Sequence, residues 1–324
     1  MKRTIAITGA SGFIGRRLVS ELLRAGDCRI RVLARPGQRS LNESRFGKDV
    51  EVFEGDLEAP DTLDGFLLPG CTVVNLVYLW EGGKARNLAC IRNLLQACRG
   101  AGIARLIHCS TAAVAGRAAG NLINETTPCL PVSEYGITKL QIEHDIAGAA
   151  KGHFDAVILR PTSVFGIGGE PLKKLAADVS TGSVLKNYLK SCLFGRRRMN
   201  LVHVANVVAA IIFLIGQDSR FDGEVLIVSD DDDPMNNFAD IEAFLIGTWG
   251  IKGYSLPRLP LPLGMLELLL RMLGRNNVNP RCDFDPSKLR ALGFRPPLSL
   301  REGLAEYAAW YRSTHSGRQG AAHT

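Results

Sequence analysis

The chain predicts an α/β protein, a doubly wound parallel sheet of Rossmann type followed by a smaller C-terminal lobe. Three observations carry this reading. Short apolar runs alternate with helix-period segments, a glycine-rich turn follows the first run, and the alternation loosens after Arg160-Pro161. A strand that returns parallel to its neighbour needs a crossover of about a dozen residues or more, usually a helix, so this rhythm favours right-handed βαβ units covered on both faces.

The elements follow in order. "TIAIT" reads as the first strand and "RRLVSELLRAG" as its crossover helix, and "IRVLAR" is the next strand. Later come "CTVVNLV", "NLLQACRGAG", "RLIHCS" and "AVILRP". Residues 1–160 are therefore assigned to a dinucleotide-type domain, with some later segments returning to it. Residues 161–312 form the lobe, with a helix around 204–216 and the strand "EVLIVS", and the polar, Gly-rich residues 313–324 are expected to be disordered.

The 324 residues are 46% hydrophobic, enough for a sizeable core, and the start has no signal-peptide shape. No stretch reaches 18 uncharged apolar residues, so no span of a membrane is expected. Eight cysteines without a C-x-x-C pair fit a reducing cytoplasm. The net charge of +7 suits solubility or an anionic partner, but the basic residues are spread out and resemble no nucleic-acid module, so nucleic acid is not expected. The run Asp230–Asp233 lacks nearby histidines or acids to complete a shell; it is read as a solvated turn, and no metal is expected.

In "TGASGFIG", Gly9 permits the tight turn, Gly12 lets backbone approach a pyrophosphate, and Gly15 lets the helix pack on its strand. The amides at that helix start face an anion. About twenty residues on, where a carboxylate would mark NAD, stands Arg35, whose guanidinium suits a 2′-phosphate, so NADP(H) is preferred and NAD(H) is the alternative. Asp56-Leu57 in "EGDL" ends the next run, where an adenine edge is read.

Tyr135 and Lys139 in "YGITK" share one helix face, and an ammonium near a phenol lowers its pKa toward use as an acid/base. Upstream, "HCSTAAVAG" is a strand ending in Ser110 and Thr111, hydroxyls suited to hold a substrate oxygen.

Together with "LRPTSVFG", "LVHVANVV" and the closing "FDPSKLRALGFRPPLSLREGLAEYAAWYR", these motifs resemble the extended short-chain dehydrogenase/reductase family over nearly the whole chain. The resemblance implies Tyr135 as acid/base, Lys139 on the nicotinamide ribose and Thr111 steering the substrate. It also implies cofactor contacts from Ser11, Phe13, Ile14, Ser110 and Pro161. Departures are "VAG" for the usual "VYG", "NLVYLW" for "HLAA", Ser163 for the Asn of "RPTNVYG", and Asn206 for the Asp after "HV". Tyr78 and Trp80 then fall near the active-site mouth, or else in core packing.

Members of the family often act on nucleotide-linked sugars. "GRRRMNLVHV" offers Arg196–Arg198, Arg198 foremost, for a diphosphate, or else a solvated basic patch; Ser163 lines the substrate pocket, and His203 lines it or is a core histidine. The pattern is most similar to nucleotide-sugar 4-ketoreductases and 4-epimerases, and implies reduction of a UDP-linked 4-keto-sugar for surface polysaccharide synthesis. The alternatives are a 4-epimerase, a 3β-hydroxysteroid or isoprenoid-type dehydrogenase suggested by the amphipathic "LPLPLGMLELLLRMLGR", and a dinucleotide-sensing regulator. A homodimer is the assembly the family suggests.

Overall fold

A computed structural model describes residues 2–275 and 278–315. In chain order the elements begin β1 (Arg3–Thr8), α1 (Phe13–Ala25), β2 (Cys28–Ala34), α2 (Arg39–Phe46), β3 (Val50–Glu54), β4 (Thr72–Asn75), α3 (Gly83–Ala101), β5 (Arg105–Cys109), β6 (Leu122–Ile123), α4 (Glu134–Ala150), β7 (Asp155–Pro161) and β8 (Ser163–Phe165). They continue with α5 (Lys173–Thr181), α6 (Val184–Phe194), β9 (Leu201–His203), α7 (Val204–Gly216), β10 (Glu224–Val228), α8 (Phe238–Thr248), α9 (Leu263–Met272), β11 (Asp283–Phe284), α10 (Ser287–Ala291) and α11 (Leu300–His315).

The chain forms two compact units. The first holds residues 1–116, 129–161 and 207–227, and the second holds 117–128, 162–206 and 228–324. The expected doubly wound fold is present: a seven-stranded sheet in the order β10-β7-β5-β4-β1-β2-β3. β1 pairs in parallel with both β2 and β4, and the strand order reverses between β1 and β4. That reversal opens a crevice at the strands' carboxyl ends, where ligands bind in such sheets. Burial of Ile5, Ile7, Leu106, Ile107, Ile158 and Leu159 on both faces explains their continuous apolar runs.

On one face, Leu94 of α3 and Ile146 of α4 meet Val73, Leu106 and Ile158 of the sheet. Arg105 ties the end of α7 to this unit. Its guanidinium pairs with Asp155 at 2.7 Å and donates to the carbonyls of Leu214, Gln217 and Ser219. The second unit has its own core, in which Phe165, Leu201, Ile241, Leu245, Leu304 and Tyr307 pack together. Residues 313–315, expected to be disordered, complete the last turn of α11; the rest of that stretch lies outside the described residues.

No described helix is long and apolar enough to cross a membrane, and all eight cysteines are free.

Candidate active site

The glycine turn closes β1 onto α1. Gly9 has φ +76, and a Cβ there would lie 3.0 Å from the Leu76 carbonyl carbon at the end of β4. A Cβ on Gly15 would overlap the Gly9 carbonyl oxygen and lie 2.7 Å from Ala10 Cα. The Gly12 amide donates to Gly9 O at 3.0 Å, and Gly12 caps α1 without a side-chain hydrogen bond or a carboxylate in the first turn. Ser11 and Gly12 are exposed, and Phe13 and Ile14 half-buried. Such an uncovered helix start fits a pyrophosphate.

Arg35 is exposed directly after β2. Hydrogen bonds from Arg86, aided by the more distant Arg35 charge, hold the Glu58 carboxyl below its ordinary range. Glu54 turns back to accept the Gly37 amide at 2.6 Å. Half-buried Asp56 accepts the Glu58 amide at 3.0 Å, while Leu57 is buried in the core.

Ser133 caps α4 by accepting the Gly136 amide at 3.2 Å, which puts Tyr135 in the first turn and Lys139 one turn on. Gly136 allows this approach, since a Cβ there would meet Ala113 O at 3.0 Å and Pro131 Cβ at 2.9 Å. The Tyr135 hydroxyl shares a hydrogen bond with Thr111, yet burial pushes its pKa up to about 12. Lys139 is buried, and its Nζ donates to Cys109 O at 2.9 Å; burial brings it down to about 8. The expectation that the ammonium lowers the phenol is thus corrected, because burial dominates both groups.

The burial of Tyr135 has an aromatic cause. Tyr78 meets its ring edge-on at 4.8 Å, and Trp80 stacks on it at 5.0 Å and 22°. Trp80 remains 76% exposed, so it is not a core residue. Lys139 Nζ also lies 5.3 Å from the Tyr78 ring centre.

Behind these groups lie two polar networks that sequence reasoning missed. Ser110 Oγ donates to Glu143 at 2.5 Å, and Arg160 forks onto the same carboxylate, closest at 2.6 Å. Only Glu143's place one turn beyond Lys139 hinted at this. In the second network, Asn75 Oδ1 accepts both Thr8 Oγ1 and the Val77 amide, which turns Nδ2 to His108 Nδ1 at 3.1 Å. His108 Nδ1 is therefore an acceptor, and burial keeps the ring neutral. Pro161 closes β7 and is buried.

The remaining expected residues belong to the second unit. Ser163 is half-buried, its amide donating to Asn200 O at 2.7 Å. Arg198 pairs with Asp283 and donates to the Asp231 carbonyl, so its charge is engaged inside the unit. His203 is fully buried, 5.1 Å from the Phe165 ring and covered by Gly303. The aspartate run departs from a solvated turn: Asp230 accepts from Asn206, and Asp231 from Asn200 at 2.7 Å and Phe284 N at 2.9 Å. Their burial raises them to about 6 and about 7. No group of potential metal ligands occurs among the described residues.

A doubly wound sheet, a glycine turn that only glycine fits, and a Tyr-Lys helix beside a hydroxyl-bearing strand end define an NAD(P)-dependent short-chain dehydrogenase/reductase. The family model of the NAD dependent epimerase/dehydratase family matches residues 5–228, and the chain belongs to that family. It is 26% identical to a UDP-glucose 4-epimerase of Vibrio cholerae over 95% of each chain. It is also 26% identical to an N-acetyl-alpha-D-glucosaminyl-diphospho-ditrans,octacis-undecaprenol 4-epimerase of Escherichia coli O157:H7 over 94% of each. Among solved structures, the Bordetella bronchiseptica enzyme WbmG in complex with NAD and UDP superposes with a TM-score of 0.74 at 22% identity, covering 97% of this chain and 96% of that one.

Proposed function

We propose that this enzyme reduces the keto group of a nucleotide-linked 4-keto-sugar, with uridine diphosphate as carrier and NADPH as reductant, in the cytoplasm, for surface polysaccharide synthesis. The observation that supports the reading is that Tyr135 shares a hydrogen bond with Thr111 one helix turn from buried Lys139, and burial favours the protonated phenol, which can serve as an acid. The glycine turn would hold the NADPH, which would supply the hydride. Tyr135 gives its proton to the substrate oxygen, and Thr111, already bonded to Tyr135, orients that oxygen. Lys139, charged at neutral pH, offsets the phenolate left behind. The balance is ketone, NADPH and one proton to alcohol and NADP⁺. The sugar class is supported by the names of the Vibrio and Escherichia relatives.

Those same names favour a second reading, 4-epimerisation without net redox change. The two separate in one assay. Stoichiometric NADPH consumption with a UDP-4-keto-6-deoxy-sugar supports reduction. Interconversion of UDP-hexose epimers by protein purified with tightly held NAD, with no NADPH consumed, overturns it.

A further inference from the structure

The second unit carries an apolar face that its own core does not cover. α6 and α9 lie side by side through residues 256–262: Leu261 N donates to Cys192 O at 2.8 Å, and Tyr188 Oη to Pro257 O at 2.9 Å. Leu193 and Phe194 of α6 pack on Leu266 and Leu270 of α9. With those side chains turned inward, α9 leaves Met265, Leu268, Met272 and the following Leu273 exposed, Met272 at 78%. The adjoining chain exposes Leu256 and Leu259, and α6 exposes Val184, Leu185 and Leu189. Scattered exposed leucines are ordinary, but a run of this size on two neighbouring helices marks an interaction surface.

The charge around it names the partner. Residues 184–198 and 249–275 carry nine Lys and Arg and one acidic residue, Glu267, although Lys190, Arg198 and Arg258 pair with Asp178, Asp283 and Glu242 outside those stretches. Glu267 pairs with Arg271, while Lys186, Arg196, Lys252 and Arg275 are exposed. Arg275 is close enough to Arg197 that its charge adds to burial in lowering that guanidinium's pKa. A second copy meeting this face symmetrically would bring the excess of cations onto itself, and a nucleic acid would use the cations but leave the leucines wet. Apolar side chains interleaved with cations match the headgroup region of an anionic bilayer.

We propose that the α6–α9 face docks this enzyme on an anionic lipid surface, Leu268, Met272 and their neighbours entering the headgroup layer while Lys186, Lys252 and Arg275 meet lipid phosphates. The contact is peripheral and does not depend on which sugar or cofactor the enzyme uses.

The full chain is tested by co-sedimentation with vesicles of phosphatidylcholine, with and without phosphatidylglycerol. Binding is expected only with phosphatidylglycerol and falls with added salt. Lys252→Gln and Arg275→Gln each weaken it about fivefold. Leu268→Glu with Met272→Glu abolishes it while leaving NADPH binding, read by fluorescence, at the parent value. Equal partition into both vesicle types, no partition into either, or unchanged binding by the double variant overturns the proposal. So does light scattering that shows a dimer broken by the double variant, which would assign the face to a second copy.

Discussion

The Trp80 indole lies nearly parallel to the Tyr135 phenol ring, 5.0 Å away, while remaining largely exposed. The stack is part of what keeps water from the phenol. An aromatic pair contributes about 0.5–1.5 kcal/mol beyond area burial. A double-mutant cycle of Trp80→Ala and Tyr135→Leu in urea unfolding is expected to return a coupling of that size. A coupling indistinguishable from zero would make the stack incidental.

Gly15→Ala places a methyl against the Gly9 carbonyl, so α1 must shift from β1. Overpacking of this kind costs about 1–3 kcal/mol. The variant is expected to melt lower and to bind NAD(P)H at least about tenfold more weakly, since the amides of the helix start are displaced. Calorimetric titration with parent-like affinity contradicts this role for the turn.

Arg35 bears on cofactor choice. If it holds a 2′-phosphate, Arg35→Ala loses about 1.5–3 kcal/mol of NADPH affinity, the range for hydrogen bonds to charged groups, and leaves NADH affinity unchanged. Equal parent affinities for the two cofactors, or equal losses in the variant, remove Arg35 from the selection.

Lys139 gives a pH signature. Its pKa is lowered from 10.5 to about 8, so between those values the folded chain binds fewer protons than the unfolded one, and stability rises with pH. Below about 8 the buried charge exacts its full penalty, on the order of 3 kcal/mol from the size of the shift. Lys139→Met lacks this dependence. Its stability relative to the parent is expected to be most favourable at neutral pH and to decline by on the order of 3 kcal/mol toward pH 10.5, with turnover lost throughout. Parallel unfolding curves at all pH values would show that Lys139 is not buried charged.

Arg160→Leu strips the buried Glu143 carboxylate of its fork. Removing one partner of a buried pair costs about 3–5 kcal/mol. Arg160→Leu combined with Glu143→Leu is expected to recover much of that loss, as seen by denaturant midpoint. If the single variant is as stable as the double, the pair is not electrostatically coupled.

What sequence reading reached here follows from periodicity and from local steric demand. The sheet, its crossover helices and the α7 span could be read because strands buried on both faces are short continuous apolar runs, the helices between them repeat at 3.6, and α7 is apolar almost throughout. Gly9 and Gly15 could be read because only one residue type fits. Tyr135 and Lys139 were placed on one face by helix geometry, but the environment that sets their acidity was not visible. It comes from Tyr78 and Trp80, 57 and 55 residues upstream of Tyr135, brought over by β4. The same holds for Asp230 and Asp231, which look like a wet turn until Asn200, Asn206 and the Phe284 amide arrive from elsewhere in the chain and Asn236 folds back from the same loop. Ser110 and Arg198 carry donors of the right type, and tertiary partners had already claimed them.

The division of the chain between units also governs how it can be made. The backbone passes from one unit to the other at 116, 128, 161, 206 and 227, so neither unit is an unbroken stretch. A nascent chain that has reached Pro161 possesses six strands of the large sheet but leaves the outer edge of β7 without β10, which is completed only after residue 224. Open edges of buried strands invite pairing with foreign chains. Truncation at the apparent boundary after Pro161 is therefore expected to yield insoluble protein rather than a free-standing cofactor domain, and a cut within residues 207–227 should impair both units together.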